Sequence, residues 1–222
     1  MLASILSTVL LSTTALACAD HSYHNQKRAE PGKTVWAYEA SYDWARLSPD
    51  YVLCQDGTQQ APIPLRLDQG LSLSHQLHFD QYNMDQAGNF INWGYGPAMT
   101  FAHPEGNYTS LPQLTFEDGG KNETVYMSGW HIHAPGDHTV QGARSKAEMH
   151  FVHVTATGAP RAVLAFRIDP GNAPSPFFSA LPEMISYRDS NKTVAASINA
   201  MDAVAEVNNF SEFWTYRGEC FF

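Results

Sequence analysis

The chain has 222 residues, of which 44% are hydrophobic and 16% are charged, and its formal net charge is −9. This length suits one domain with a substantial core. Because the sequence contains no basic run, nucleic acid and anionic membranes are disfavoured as partners.

The N-terminal segment has the composition of an export signal. Residues 1–19 form a short apolar run that ends in small residues, although the usual basic start is missing. The run is too short and too rich in Ser and Thr for a transmembrane span. The dibasic pair Lys27-Arg28 suits a processing protease. We therefore predict a signal peptide at 1–19, a propeptide at 20–28 and one domain over 29–222.

Sequons and cysteines agree with an oxidising compartment. N-glycosylation is predicted at Asn107, Asn122, Asn191 and Asn209. Together with the export signal, these sites predict a secreted protein, extracellular or in the cell wall. Cys54 and Cys220 are the only cysteines after the signal, so one disulfide could form there.

Strand patterns dominate the chain after the first 60 residues. Runs rich in branched and aromatic residues are separated by Gly, Pro, Asn and Asp clusters, which is typical of an antiparallel meander. The nearly continuous apolar run at 162–168 is predicted to lie centrally in the sheet. The predicted strands are 63–67, 71–79, 89–92, 98–101, 125–133, 147–155 and 162–168.

Helical periodicity is scarce. Helices are predicted at 176–186 and 194–207; in the second, apolar residues recur at intervals of four, three and four. The sequence therefore predicts a mainly β single domain around a large, mostly antiparallel twisted sheet, with peripheral helices.

Two of the predicted strands carry the residues with metal-binding chemistry. His131 and His133 are two positions apart, as are Glu148 and His150, and side chains two apart on a strand point to the same face. Turn residues between the two strands allow them to pair. Three imidazoles with a carboxylate beside the third would leave one tetrahedral position open, which is the ligand count of a catalytic zinc.

The simpler alternative is that these are ordinary core or surface histidines, since the chain has ten of them. A second strand carrying Glu-x-His at short range favours the metal site. His153 has the opposite parity to His150, so we expect it to pack or hydrogen-bond on the other face. A cupin-type metal site is disfavoured, because no histidine follows the turn at 169–171.

The chain resembles the α-class carbonic anhydrases. Their zinc signature runs His-x-His, Glu-His-Thr and Ala-Glu-x-His-x-Val-His; here the matching runs are 131–133, 137–139 and 147–153. Further motifs match in the same order over 36–218, including Cys-x-x-Gly-x-x-Gln at 54–60 and Phe-Trp-Thr-Tyr-x-Gly at 213–218. The export signal suggests a secreted eukaryotic form, with fungal proteins as one such type.

The resemblance implies a zinc enzyme for reversible hydration of CO₂ to bicarbonate and a proton, with His131, His133 and His150 as ligands. Zn²⁺ lowers the pKa of its bound water to about 7, carbonic anhydrase being the usual example, and the resulting hydroxide attacks CO₂. Glu148 would then orient a ligand imidazole.

The resemblance extends to the surroundings of the metal. Val152 and Val163 match the apolar wall of the family's CO₂ pocket, although ordinary strand core explains both equally well. Tyr38 matches a tyrosine of the active-site hydrogen-bond network, and a buried aromatic anchor is the alternative for that position.

Three departures concern individual residues. Asp137 replaces a glutamate that orients the hydroxide through a threonine. Tyr95 occupies the position of a proton-shuttling histidine, and a phenol with a pKa of about 10 predicts turnover limited by proton transfer. Gly129 replaces a glutamine that orients a ligand histidine.

A fourth departure lies at the C-terminus. The family continues with Gly-Ser-Leu-Thr-Thr-Pro-Pro-Cys and further strands, whereas this chain ends four residues after Gly218. The resemblance therefore predicts a truncated form without that threonine, and it leaves a Cys54–Cys220 bridge open. Two functions follow: an active carbonic anhydrase, or a zinc-binding relative that is inactive or weak. Exposed sheet edges would favour a homo-oligomer.

Overall fold

The structure is a computed structural model that describes residues 45, 49, 52–72, 75–189 and 191–218, without the side chain of residue 53. The predicted signal and propeptide, Tyr38 and Cys220 lie outside these residues.

The described residues include thirteen strands, three short α-helices and three 3₁₀-helices, the last at Tyr108–Ser110, Tyr187–Asp189 and Asn208–Phe210. The α-helices are α1 (Val52–Asp56), α2 (Pro176–Ser179) and α3 (Ala200–Glu206). The strands are β1 (Pro64–Leu65), β2 (Leu71–Ser72), β3 (His78–Asp80), β4 (Asp85–Asn92), β5 (Pro97–Phe101), β6 (Gln113–Asp118), β7 (Lys121–His133), β8 (Thr139–Val140), β9 (Ala143–Arg144), β10 (Ala147–Val154), β11 (Pro160–Ile168), β12 (Thr193–Asn199) and β13 (Phe213–Trp214).

One eight-stranded sheet, antiparallel at every pairing, forms the body of the fold. Its order is β11-β10-β7-β5-β4-β12, with β6 paired to β7 and β3 paired to β6. Two small sheets flank it: β1-β8-β9, in which β1 and β8 run parallel, and β13-β2. The predicted mainly β fold is confirmed.

The longest strand, β7, pairs with three others because its sequence suits burial on both faces. Trp130 is fully buried and packs against Phe90 and Phe177. Gly129 lets β5 approach closely, since a Cβ there would lie 2.2 Å from the carbonyl oxygen of Met99. The two candidate ligand histidines on this strand, His131 and His133, therefore lie in its buried C-terminal half.

The predicted helix at 194–207 is wrong over its first half. The chain continues as β12 to Asn199 and becomes helical only at Ala200. The Asn199 side chain accepts a hydrogen bond from Met201 N–H and so begins the helix. The helix-like spacing was coincidental, because pairing with β4 determines the conformation of the first half.

Other boundaries also differ from the prediction. The helix predicted at 176–186 ends at Ser179, shortly before Pro182. The strand predicted at 71–79 is two strands in different sheets, β2 and β3, and β6 was missed. β11 is not central: within the described part of the chain it pairs only with β10 and forms one edge of the sheet.

No helix among the described residues is long and apolar enough to span a bilayer.

Candidate metal centre

The three predicted ligand histidines come together on β7 and β10. The register places His150 opposite His131, so all three rings lie on one face of the sheet. His131, His133 and His150 each offer one ring nitrogen, and these three atoms all lie within 4.8 Å of one another. Nε2 of His131 and Nε2 of His133 are 2.8 Å apart. All three residues are buried, with 3%, 7% and 4% of their surface exposed in chain order.

Glu148 orients one of these imidazoles and secures the loop after β7. Nε2 of His150 donates to its carboxylate at 2.8 Å, and both the backbone N–H and Nδ1 of His138 donate to it at 2.9 and 2.5 Å. Burial alone would raise the pKa of Glu148, but the hydrogen bonds from His138 and His150 outweigh it and hold that pKa well below its usual range. The Glu148 carboxylate is therefore charged, and it accepts three hydrogen bonds.

The loop between β7 and β8 is held close to the centre by a glycine. Gly136 donates its N–H to the carbonyl of Ser145, and a Cβ at Gly136 would lie 2.3 Å from Oγ of Ser145. The close approach fixes the positions of Asp137 and His138. Nε2 of His138 also hydrogen-bonds the hydroxyl of Tyr216 at 2.6 Å, which links the loop to the C-terminal segment.

Asp137 lies beside a ligand histidine. Its Oδ2 is 3.6 Å from Nδ1 of His133, which is longer than a hydrogen bond. Burial raises the pKa of Asp137 to about 6, and the neighbouring Glu148 carboxylate acts in the same direction. The Asp137 carboxylate therefore lies close to the ring of His133, a candidate ligand.

His153 lies on the opposite face from His150, as its parity predicts. It is fully buried and hydrogen-bonded through Nε2 to the hydroxyl of Tyr82, which is also fully buried. Burial lowers the pKa of His153 to about 4, while backbone hydrogen bonds at Ala162 and Phe151 act in the other direction. His153 is therefore a neutral core residue, separate from the metal-binding group.

The remaining residues around the centre have apolar or aromatic surroundings. Val152 lies on β10, two positions after His150, and is 2% exposed. It pairs with the half-buried Val163 on the neighbouring strand β11. Tyr95 is 43% exposed, and its ring packs on Trp93. Trp93 in turn contacts the rings of two ligand histidines.

Several functional candidates were not found from sequence. His138 was seen only as part of a motif, and its contact with Tyr216 spans 78 residues, so no local pattern could indicate it. Trp93 had one signal, its place in the Asn-Trp-Gly-Tyr run, but its contact with the histidines depends on sheet order. Gly129 contributes no side chain to the centre, and the close approach of β5 explains why.

The predicted glycosylation and disulfide sites stay predictions, and the structure gives only the exposure of the described residues. All four sequon asparagines, Asn107, Asn122, Asn191 and Asn209, are exposed, so each is accessible to modification. Cys54 lies half-buried on α1, and its proposed partner is outside the described residues.

The donor set fits a zinc ion. Three imidazoles with an open fourth position match catalytic zinc sites, and a carboxylate that accepts from a ligand ring is their usual support. A second set, His138, Glu148 and His150, meets the same distance criterion. It is the poorer choice because the Glu148 oxygens already accept three hydrogen bonds.

Comparisons with known proteins agree with this geometry. A family model described as eukaryotic-type carbonic anhydrase matches residues 39–219. A carbonic anhydrase of Pectobacterium atrosepticum is 28% identical over 211 residues, covering 92% of this chain and 75% of the relative. Alpha carbonic anhydrase 6 of Arabidopsis thaliana is 27% identical over 176 residues, covering 77% of this chain and 61% of the relative.

Among solved structures, the fungal alpha carbonic anhydrase from Aspergillus oryzae is similar in fold. It superposes with a TM-score of 0.54 at 20% sequence identity, over 79% of this chain and 70% of the other. At this identity the likeness concerns the fold alone.

Proposed function

We propose, because this chain belongs to the eukaryotic-type carbonic anhydrase family, that it catalyses the reversible hydration of CO₂ to bicarbonate and a proton. One observation carries the proposal: three buried imidazoles from two paired strands present their ligand atoms within 4.8 Å of one another.

His131, His133 and His150 would hold the ion. Zn²⁺ bound there would lower the pKa of a coordinated water to about 7 and supply the nucleophile, an effect for which carbonic anhydrase is the usual example. Glu148 keeps the ring of His150 oriented by accepting from Nε2, so Nδ1 is the atom of this ring that remains to bind a metal.

Substrate binding and proton release fall to neighbouring side chains. Val152 and Val163 form an apolar wall beside His150, which suits a small substrate without charge. Tyr95 is exposed and stands in place of a histidine, the side chain that usually shuttles protons near neutral pH. We infer that buffer molecules must carry protons away.

A second candidate is a zinc-binding relative with little or no activity. It is favoured by the position of Asp137, whose carboxylate lies 3.6 Å from the His133 ring. A carboxylate that faces this ring without a hydrogen bond to it is poorly placed to orient the nucleophile.

Stopped-flow CO₂ hydration on zinc-loaded protein tests the proposal, together with metal analysis. We expect one zinc per chain and a rate that His150→Ala abolishes along with metal binding. The matched control is His103→Ala, because His103 hydrogen-bonds only the neighbouring Pro104 carbonyl among the contacts described and should leave both unchanged. Stoichiometric zinc without CO₂ hydration would favour the second candidate, and no zinc would refute both.

Processing and location remain part of the proposal. We infer a secreted or cell-wall glycoprotein with a signal peptide at 1–19, a propeptide at 20–28 and a catalytic domain from residue 29, and a homo-oligomer in solution. N-terminal sequencing of secreted material, glycosidase treatment and sedimentation test these points in turn. Intracellular retention of the full chain would contradict the assignment.

A further inference from the structure

Trp93 packs against two of the three candidate ligands. Its ring centroid lies 5.1 Å from that of His131 and 5.2 Å from that of His133, with interplanar angles of 57° and 80°. The two histidine rings are themselves 4.7 Å apart at 74°. One indole therefore borders both members of the His-x-His pair.

The backbone of Trp93 is fixed by the turn between β4 and β5. Asn92 accepts the N–H of Gly94 through Oδ1 at 2.8 Å and donates through Nδ2 to the carbonyl of Ile185 at 2.8 Å. Trp93 N–H donates to the carbonyl of Gly96 at 3.1 Å. Gly94 has φ +102°, which favours glycine. The turn therefore fixes the backbone from which the indole projects.

The indole is also tied to the strand that carries both histidines. Nε1 of Trp93 donates to the carbonyl of Ile132, the residue between them, at 3.3 Å. Gly96 makes this approach possible, since a Cβ there would lie 2.8 Å from the same carbonyl oxygen. The ring of Tyr95 packs edge-on against the indole of Trp93, with ring centroids 5.0 Å apart.

We propose that Trp93 is a positioning residue that orients His131 and His133 for the metal. The aromatic contacts with Trp93 restrict the rotamers of both rings, and the hydrogen bond to Ile132 holds the indole beside them, so less conformational freedom is lost when the ion binds. Gly129 can contribute no orienting side chain, because β5 fills the space that one would need. This role rests on the proposed zinc site, but it does not require that the site be catalytic.

The test is the zinc dissociation constant of the whole chain, measured by competition with a chelator. Trp93→Ala should raise that constant about 10–100-fold, the usual loss when a group supporting a ligand is removed. Trp93→Phe keeps an aromatic ring but loses the indole N–H, and should raise the zinc dissociation constant by less. The matched control is Trp214→Phe, since Trp214 is also half-buried and donates its indole N–H to a backbone carbonyl, that of Arg66.

Two spectroscopic readouts separate positioning from general damage. Co²⁺ bound to Trp93→Phe should show shifted visible absorption bands, because the ligand rings are less constrained. The change in tryptophan fluorescence on Co²⁺ binding should be reduced in that variant and retained in Trp214→Phe. Circular dichroism of the metal-free proteins identifies folded variants; should Trp93→Ala not fold, Trp93→Phe decides.

Zinc affinity of a folded Trp93 variant within twofold of the parent, with unchanged Co²⁺ bands, would overturn the inference. A parent chain that binds zinc tightly but does not hydrate CO₂ would refute the proposed function and leave this inference standing. A parent chain that binds no zinc would remove both.

Discussion

The buried His153 predicts a specific acid sensitivity of the fold. Its pKa falls from 6.5 to about 4 on folding, because burial disfavours the charged ring. As the pH falls below 6.5, His153 becomes protonated in the unfolded chain, whereas in the folded chain it stays neutral until the pH is near 4. Stability from this residue is therefore complete above pH 6.5 and is lost on acidification.

The size of the effect follows from the shift. Each pKa unit corresponds to about 1.4 kcal/mol, so the full loss is about 3 kcal/mol, of which about 2 kcal/mol disappears between pH 7 and pH 5. That is a large fraction of the stability of an ordinary domain. Urea unfolding of the metal-free protein at several pH values measures the loss directly.

Two variants isolate His153 from other titrating groups. His153→Gln removes the ring, so its free energy of unfolding should decline about 2 kcal/mol less than that of the parent between pH 7 and pH 5. Tyr82→Phe removes the hydroxyl but keeps the buried ring, and should retain the parent's pH dependence. Parallel curves for the parent and His153→Gln would refute the reasoning, whatever their absolute stabilities.

Three further outcomes are expected. Tyr95→His should raise CO₂ hydration about tenfold or more in weak buffer by supplying a proton carrier, and a parent rate indifferent to added imidazole would argue against this. Gly129→Ala should lower stability by about 3 kcal/mol, seen as a fall in Tm, because its Cβ would lie 2.2 Å from Met99 O; an unchanged Tm would mean that β5 yields freely. Arg161→Ala removes a two-pronged ion pair with Glu123 and a second ion pair with Asp118, both at partly exposed sites, so we expect a loss of about 1 kcal/mol that shrinks in high salt. A larger, salt-independent loss in urea unfolding would point to packing instead.

The candidate metal-binding group of histidines could be predicted from the sequence because it depends on local geometry. Alternation along a strand puts His131 with His133 and Glu148 with His150, and antiparallel pairing of β7 with β10 brings the two pairs together. The same parity rule placed His153 on the opposite face. The family motifs then supplied the chemistry that spacing alone left open.

The rest depended on contacts that sequence patterns do not encode. Trp93 reaches the histidines only because β5 pairs with both β4 and β7. The prediction of a helix at 194–207 was wrong over its first half, because residues 193–199 pair with β4 as a strand. The helix-like spacing of apolar residues runs across the boundary between this strand and the helix that follows. β11 looked central because its composition is apolar, yet position in the sheet is decided by which strands pair, not by composition.

The carboxylate of Glu148 has a consequence beyond the ring that it orients. It accepts hydrogen bonds from the backbone N–H of His138 and from Nε2 of His150 at the same time. The order of the loop and the orientation of the His150 ring therefore depend on the same carboxylate. By thermodynamic reciprocity, capture of an ion must tighten the loop as much as an ordered loop strengthens capture. Assembly of this centre is therefore a cooperative event shared between two stretches of chain.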